Sequence, residues 1–165
     1  MMSDLMHNLH LSPREILDFA VQVEEKSFAL YSTLSKTVVL PQMKEIFASF
    51  AEEELKHKAA FQTMITEGNK ETYDQKTLPE HMSFLRSIVN STIFSKDLLH
   101  EKLKRVRDAG STFEFLISVE LDQILLYNDL RDFVIDKHKA LIDTIISEER
   151  RHFVRIMQIK QMKDY

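Results

Sequence analysis

The sequence contains no cysteine, and this absence removes several kinds of site at once. Disulfides, thiolate zinc sites, iron–sulfur clusters and thiol catalysis all require cysteine. Any metal bound by this chain must therefore take its protein ligands from Glu, Asp and His. The lack of cysteine also agrees with a cytoplasmic location, which is our expectation.

Glycine and proline are scarce as well, with two and three residues in a chain of 165. These residues make most tight turns and hairpins, so a β-rich fold is not expected. The few that occur are spaced as breaks between long helices. The length suits a single domain with a substantial core, which we place at residues 1–165.

Charge of one sign is not concentrated anywhere. The net charge is -4, and acidic and basic residues alternate along the chain. There is no basic stripe of the kind that binds nucleic acid, and no apolar run approaches the roughly 20 residues of a membrane span. Neither nucleic acid nor a membrane is expected as a partner.

Apolar residues recur at helical spacing over four long segments. These predict helices at 12–36, 41–67, 111–137 and 139–164. Short connections make the first pair and the second pair antiparallel, and a long crossover at 69–110, itself helical, joins the pairs. The sequence thus predicts an all-α four-helix bundle, with Ser111 or Thr112 as the N-cap of the third long helix.

The two halves of the chain repeat each other. Residues 19–31 align with residues 115–127 at an offset of 96, which places Glu24 over Glu120. Residues 53–57 align with residues 148–152 at an offset of 95, so that two Glu-x-x-His motifs coincide. A duplicated helical hairpin that faces its copy would bring all four motifs around one pseudo-twofold axis.

Each repeated glutamate lies on an apolar stripe. Glu149, for example, has Ile145, Ile146, Phe153 and Ile156 at helical spacing around it, so its side chain should point into the core. Four unpaired carboxylates in a dry core would each cost several kcal/mol. Two divalent cations would balance these four charges, with two neutral imidazoles as additional ligands.

This pattern resembles the rubrerythrin-like branch of the ferritin-like di-iron carboxylate proteins, without a rubredoxin domain. The resemblance runs from about Ser12 to Met162, and it is carried by the two Glu-x-x-His motifs and by a Tyr seven residues after each lone Glu. It implies a ferritin-like bundle with two metal ions per chain, iron first, with Mn or Zn as alternatives. The metal ligands that it implies are Glu24, Glu54, His57, Glu120, Glu149 and His152.

Within this set, we expect Glu54 and Glu149 to bridge the metals and Glu24 and Glu120 to be terminal. Tyr31 and Tyr127 are either core aromatics or donors to carboxylates across the bundle. Gln123 stands where rubrerythrins carry an additional carboxylate linked to their peroxide chemistry, which weakens a peroxidase assignment.

Other polar residues are set aside. Residues adjoining the ligands, on the flanks of their stripes, are taken as solvated or as outer neighbours of the site: Glu25, Glu52, Glu53 and Glu148. Histidines without a partner motif are taken as surface residues: His7, His10, His81, His100 and His138. No catalytic residue beyond the metal ligands and no other cofactor site is proposed.

The function expected is that of a di-iron oxidoreductase, which oxidises Fe(II) with O₂ or reduces peroxide and takes electrons from an external donor. The alternatives are a protein that stores or carries iron without significant turnover, and a structural helical module that holds an incidental Zn or Mn pair. The resemblance also implies a homodimer, because such proteins are often dimers, and the crossover offers apolar residues for an interface: Phe84, Ile93 and Phe94.

The metal-free protein should gain stability as pH falls from about 8 toward 5, because carboxylates crowded in a core take up protons. Charging of His57 and His152 is expected to oppose part of this gain.

Overall fold

A computed structural model describes residues 13–67, 79–92, 94, 101, 108–134 and 136–162. Five helices occupy most of these residues: α1 Pro13–Thr37, α2 Pro41–Glu67, α3 Pro79–Ser91, α4 Ala109–Phe133 and α5 Asp136–Gln161. α1 packs along α2 and α4 packs along α5. The prediction of an all-α bundle is confirmed, and α3 provides the described helix of the crossover.

The first two helices begin as the sequence indicates. Proline is the first residue of both α1 and α2, where its missing N–H removes no helical hydrogen bond. Glu15 in the first turn and Lys36 in the last turn of α1 suit the helix dipole. Only residues 38–40 separate α1 from α2, so the two helices form an antiparallel hairpin.

The start of α4 differs from the prediction. Asp108, rather than Ser111 or Thr112, is the N-cap, and the helix begins at Ala109. The Asp108 carboxylate accepts a hydrogen bond from the Ser111 backbone N–H at 2.8 Å, and the Ser111 hydroxyl accepts one from the Asp108 backbone N–H at 3.0 Å. This reciprocal pair satisfies two backbone donors and fixes the helix start two residues earlier.

The boundary between α4 and α5 is also earlier than predicted. Val134 adopts an extended conformation, with φ -80° and ψ 159°, while its side chain stays buried. α5 starts again at Asp136, whose carboxylate lies 2.7 Å from the Lys139 ammonium group. The chain therefore turns between the helices without a glycine or a proline.

One continuous core runs between the helices. It contains large buried residues from every described helix, among them Ile16, Phe61, Leu85, Leu116 and Ile142. α3 contacts both α1 and α4, so the crossover covers one side of the bundle. None of the described helices combines the length and the apolar character that crossing a membrane would require.

The crossover residues suggested for a dimer interface differ in their exposure. Phe84 is 54% exposed, which suits that suggestion, but Phe94 is buried at 2% and belongs to the core. The Phe94 carbonyl oxygen also accepts a hydrogen bond from the Lys26 ammonium group at 3.1 Å. Phe94 was therefore wrongly assigned to a free surface, and Ile93 lies outside the described residues.

Candidate metal centre

The six predicted ligands come from the four long helices and meet inside the bundle. α1 supplies Glu24, α4 supplies Glu120, and the Glu-x-x-His motifs lie on α2 and α5. All six side chains are buried, with exposures between 0% and 2%: Glu24, Glu54, His57, Glu120, Glu149 and His152. The repeat in the sequence thus corresponds to a convergence of side chains in the structure.

Within this volume the ligand atoms form two overlapping groups. In each group, one atom from every member lies within 4.8 Å of the others. The groups are Glu24, Glu54, His57 and Glu149, and Glu54, Glu120, Glu149 and His152. Only Glu54 and Glu149 belong to both, which is the arrangement expected of two bridging carboxylates. Their bridging role remains a prediction that this geometry supports.

Each histidine turns one ring nitrogen toward the carboxylates. His57 Nδ1 lies 2.9 Å from Glu149 Oε1 and 3.4 Å from Glu54 Oε2. His152 Nδ1 lies 3.2 Å from Glu149 Oε2 and 3.5 Å from Glu54 Oε1. The Nδ1 atoms are therefore the ring atoms placed to bind a metal.

The other ring nitrogen of each histidine contacts a carboxylate farther out. His57 Nε2 lies 2.6 Å from Glu148 Oε2, and His152 Nε2 lies 3.0 Å from Glu53 Oε2. An Nε2–H that donates to these oxygens leaves the Nδ1 lone pair of a neutral imidazole directed at the ligand volume. Both contacts cross between α2 and α5, so each motif is oriented by the other.

Glu53 and Glu148 are thus part of the site, as outer neighbours that the sequence alone did not separate from solvated residues. Arg151 holds Glu53 at 2.5 Å and lies 4.0 Å from Glu148. The other two flanking residues stay apart from the site, since Glu25 pairs with Lys58 and Glu52 is exposed. The available signal was that Glu53 and Glu148 occupy equivalent positions of the repeat, four residues before each histidine.

The two tyrosines connect α1 and α4 in the same reciprocal way. The Tyr31 hydroxyl donates to Glu120 Oε1, and the Tyr127 hydroxyl donates to Glu24 Oε1. Burial and the nearby carboxylates raise the pKa of both tyrosines well above 10. Both hydroxyls therefore keep their protons and act as donors to the carboxylates that are expected to be terminal ligands.

Without metal, the protein environment shifts the pKa values of three of these carboxyl groups in different directions. Burial, and then repulsion from a neighbouring glutamate, raises the pKa of Glu24 and of Glu120 well above 4.5. Burial alone would also raise the pKa of Glu54, but the nearby rings of His152 and His57 outweigh burial and lower that pKa to about 2. Glu24 and Glu120 therefore take up a proton more readily than Glu54.

The histidines behave differently from the expectation. Burial alone would lower their pKa values, but the surrounding carboxylates outweigh it. The pKa of His152 rises from 6.5 to about 12, and that of His57 rises also. Protonated histidines therefore stabilise the metal-free fold, and the expectation that they would oppose the carboxylates was wrong.

A set of buried polar atoms tests whether these residues fit a metal pair. Eight ligand atoms have no well-oriented hydrogen-bond partner in the described part of the chain: Glu24 Oε2, both carboxylate oxygens of Glu54 and of Glu149, Glu120 Oε2, and Nδ1 of His57 and His152. An unpaired buried polar atom costs about 1–3 kcal/mol. Carboxylates and imidazoles are common metal ligands, so the residues present fit a metal site.

Two further polar residues are fully buried one turn after the lone glutamates. Gln123 follows Glu120 and Ser27 follows Glu24, each by three residues. Neither belongs to the two ligand groups. Among the other histidines, His138 is buried on α5 rather than exposed as expected, and it also lies outside both groups. The side chains of His7, His10, His81 and His100 lie outside the described residues.

Comparison with known proteins identifies the fold and the family. The chain is similar to a candidate ferritin-like diiron-carboxylate protein from Thermotoga maritima, whose crystal structure superposes with a TM-score of 0.69. The two sequences are 23% identical, and the match covers 92% of this chain and 96% of that one. A search of curated proteins finds no match. The sequence model described as Rubrerythrin matches residues 15–160, and the chain therefore belongs to the rubrerythrin family.

Proposed function

We propose that this protein is a di-iron oxidoreductase that oxidises Fe(II) with O₂ or reduces hydrogen peroxide. The observation that carries the proposal is the pair of overlapping ligand groups, in which Glu54 and Glu149 are common to both. The residues of these two groups would hold two metal ions, and a pair of iron ions, when bound, would supply two electrons to an oxidant through the Fe(II)/Fe(III) couple.

The protein itself would hold the metal ligands, orient them and exclude bulk water. Glu148 and Glu53 fix the ring orientation and the tautomer of the two histidines. Tyr31 donates a hydrogen bond to Oε1 of Glu120, and Tyr127 donates one to Oε1 of Glu24. One oxygen of each carboxylate is therefore occupied by a hydrogen bond. Because the six ligands are buried, bulk water is kept from the reacting centre.

Electrons for repeated turnover must come from elsewhere, because a chain without cysteine holds no iron–sulfur cluster. We therefore propose an external electron donor, either a protein or a small reductant, with O₂ or hydrogen peroxide as the second substrate. A homodimer remains part of the proposal, supported by the exposed aromatic ring of Phe84 on α3.

The test begins with anaerobic loading of Fe(II), followed by O₂ or hydrogen peroxide in separate experiments with excess reductant. Two iron ions per chain and many turnovers would support the oxidoreductase. A single stoichiometric oxidation would instead indicate iron storage or transport. Preferential retention of Zn or Mn from growth medium, without iron uptake, would indicate a structural site and overturn the proposal.

A matched pair of variants on α2 makes this test specific. Glu54 and Glu52 lie two residues apart, but Glu54 is fully buried in both ligand groups whereas Glu52 is exposed. Glu54→Ala should lose the two-metal stoichiometry and the turnover, and Glu52→Ala should keep both. Equal behaviour of the two variants would show that the buried cluster is not the reacting centre.

A further inference from the structure

The side chains of Ser27 and Gln123 carry buried polar atoms that lack hydrogen bonds. Both side chains have 0% exposure. The Ser27 hydroxyl and both amide atoms of Gln123 find no hydrogen-bond partner among the described residues. A buried polar group without a partner is costly, so it usually indicates that the native partner is a bound molecule or an ordered water.

The orientation of the Ser27 hydroxyl strengthens this point. Serine and threonine in helices commonly donate to the carbonyl oxygen four residues earlier. Thr33 and Ser118 do so in this protein, at 2.8 Å and 3.0 Å. Ser27 lacks that bond, although it lies in the middle of α1. Its hydroxyl is therefore left available to a partner outside its own helix.

The two residues lie at nearly the same height in the bundle. Tyr31 follows Glu24 by seven residues on α1 and bonds to Glu120 of α4, and Tyr127 follows Glu120 by seven residues and bonds to Glu24. These two hydrogen bonds show that α1 and α4 are antiparallel. They also place residues 24–31 of α1 beside residues 120–127 of α4. Ser27 and Gln123 occupy equivalent places within those two segments, because Ser27 follows Glu24 and Gln123 follows Glu120, each by three residues.

We infer that Ser27 and Gln123 form a neutral hydrogen-bonding seat for a small molecule of two or three heavy atoms that binds beside the metal pair between α1 and α4. Serine offers one O–H donor and lone pairs, and glutamine offers two N–H donors and one carbonyl oxygen. Neither side chain carries a charge, so the seat favours a molecule that hydrogen-bonds at both ends. This inference rests on the proposed function, because the metals would hold the other end of the molecule.

This assignment changes the meaning of Gln123. The resemblance treats Gln123 as the loss of an anionic ligand, which argues against chemistry with peroxide. The structure adds that Ser27, at the equivalent place on α1, is also buried and has an unbonded hydroxyl. Together, the two residues supply donors where a carboxylate would supply only an acceptor, and such donors select a hydrogen-bonding ligand over an apolar one.

The test uses azide as the probe, because it is a three-atom ligand that accepts hydrogen bonds and gives a charge-transfer absorption with ferric iron. Iron-loaded, oxidised protein is titrated with azide in the wild type, in Ser27→Ala and in Gln123→Leu. Each variant should raise the Kd for azide about tenfold, the effect of one lost hydrogen bond to a charged ligand. Iron stoichiometry is measured in the same samples and should stay unchanged.

Two controls separate the seat from general effects on the fold. Nitric oxide, which binds ferrous iron without needing a hydrogen bond, should bind all variants equally. Thr92→Val removes another buried hydroxyl, one that donates to the Val89 carbonyl oxygen at 3.2 Å, and should leave azide binding as in the wild type. Ser27→Ala removes a single oxygen atom, so the test stands even if Gln123→Leu does not fold.

The outcomes are distinct. Weaker azide binding with unchanged nitric oxide binding supports the seat. Iron uptake with unchanged azide affinity in both Ser27→Ala and Gln123→Leu overturns this inference and leaves the proposed function intact. A wild type that takes up no iron overturns the proposed function and this inference with it.

Discussion

Removal of the outer carboxylates should weaken metal binding without touching a ligand. Glu148 accepts from His57 Nε2 at 2.6 Å, and Glu53 accepts from His152 Nε2 at 3.0 Å. In Glu148→Ala or Glu53→Ala the histidine ligand is still present, but its ring loses the carboxylate that fixes its orientation and tautomer. Metal affinity typically falls 10- to 100-fold when such a partner is lost, or about 1.4–2.7 kcal/mol.

The structure ranks the two variants within that range. The Glu148 side chain is 30% exposed, so water can replace part of its role, and we expect a loss near tenfold, about 1.4 kcal/mol. Glu53 is 19% exposed and is also held by Arg151 at 2.5 Å, which makes it the more firmly placed acceptor. Glu53→Ala should therefore lose more affinity than Glu148→Ala.

The assay is competition for Co(II) or Fe(II) between the protein and a chelator of known affinity, under anaerobic conditions at constant pH. Glu52→Ala is the matched control, because Glu52 is adjacent to Glu53 on α2 and is exposed. Affinities within about twofold of the wild type for both Glu53→Ala and Glu148→Ala would refute the argument, since partners that orient a ligand are expected to cost at least tenfold.

Three further measurements test the electrostatics and the fold. The pKa values of Glu24 and Glu120 are raised in the folded state, and that of His152 rises to about 12. A group whose pKa is raised in the folded state stabilises the fold fully when the pH is below its unfolded-state pKa, and this effect is lost as the pH rises toward the folded-state pKa. The metal-free Tm should therefore fall from pH 5 to pH 9. A pH-independent metal-free Tm would contradict this, and metal-loaded protein should show a flatter dependence. Tyr31→Phe leaves a Glu120 oxygen without its donor and should destabilise the metal-free protein by about 1–3 kcal/mol in urea unfolding, whereas an unchanged midpoint would mean that the hydrogen bond is not formed. Asp108→Ala removes the N-cap of α4 and should lower the Tm by about 2–4 °C with no change in metal stoichiometry. A fall in metal stoichiometry with an unchanged Tm would contradict this.

The helices were predictable because their apolar residues follow a period of 3.6 over long segments. Their ends were less so. Asp108 lies within the segment 69–110 that the sequence analysis assigned to the crossover. Only the reciprocal hydrogen bonds with Ser111 show that it starts α4. The turn at Val134 carries no glycine or proline, so no local signal marked it.

The site divides in a similar way. The repeat relates equivalent positions, and it predicted the convergence of the ligands because a duplicated hairpin has an axis of symmetry. It could not show which residues touch across that axis. Glu53 and Glu148 were set aside because each was judged by its own helix, whereas each acts on the histidine of the opposite motif. Only the structure shows that the hydroxyl of Ser27 is buried and unbonded.

The reciprocal contacts have a consequence for how the site is divided along the chain. Residues 13–67 contain one glutamate that receives a tyrosine hydroxyl, one tyrosine that donates, one histidine and one outer carboxylate, and residues 108–162 contain the same set. Every one of these bonds joins one half to the other. A single hairpin therefore has all the partners but can bond none of them within itself. Two copies of the same hairpin, as separate half-length chains, would have the partners for all four bonds and for the same two ligand groups. The covalent link between the halves therefore raises the local concentration of the second half.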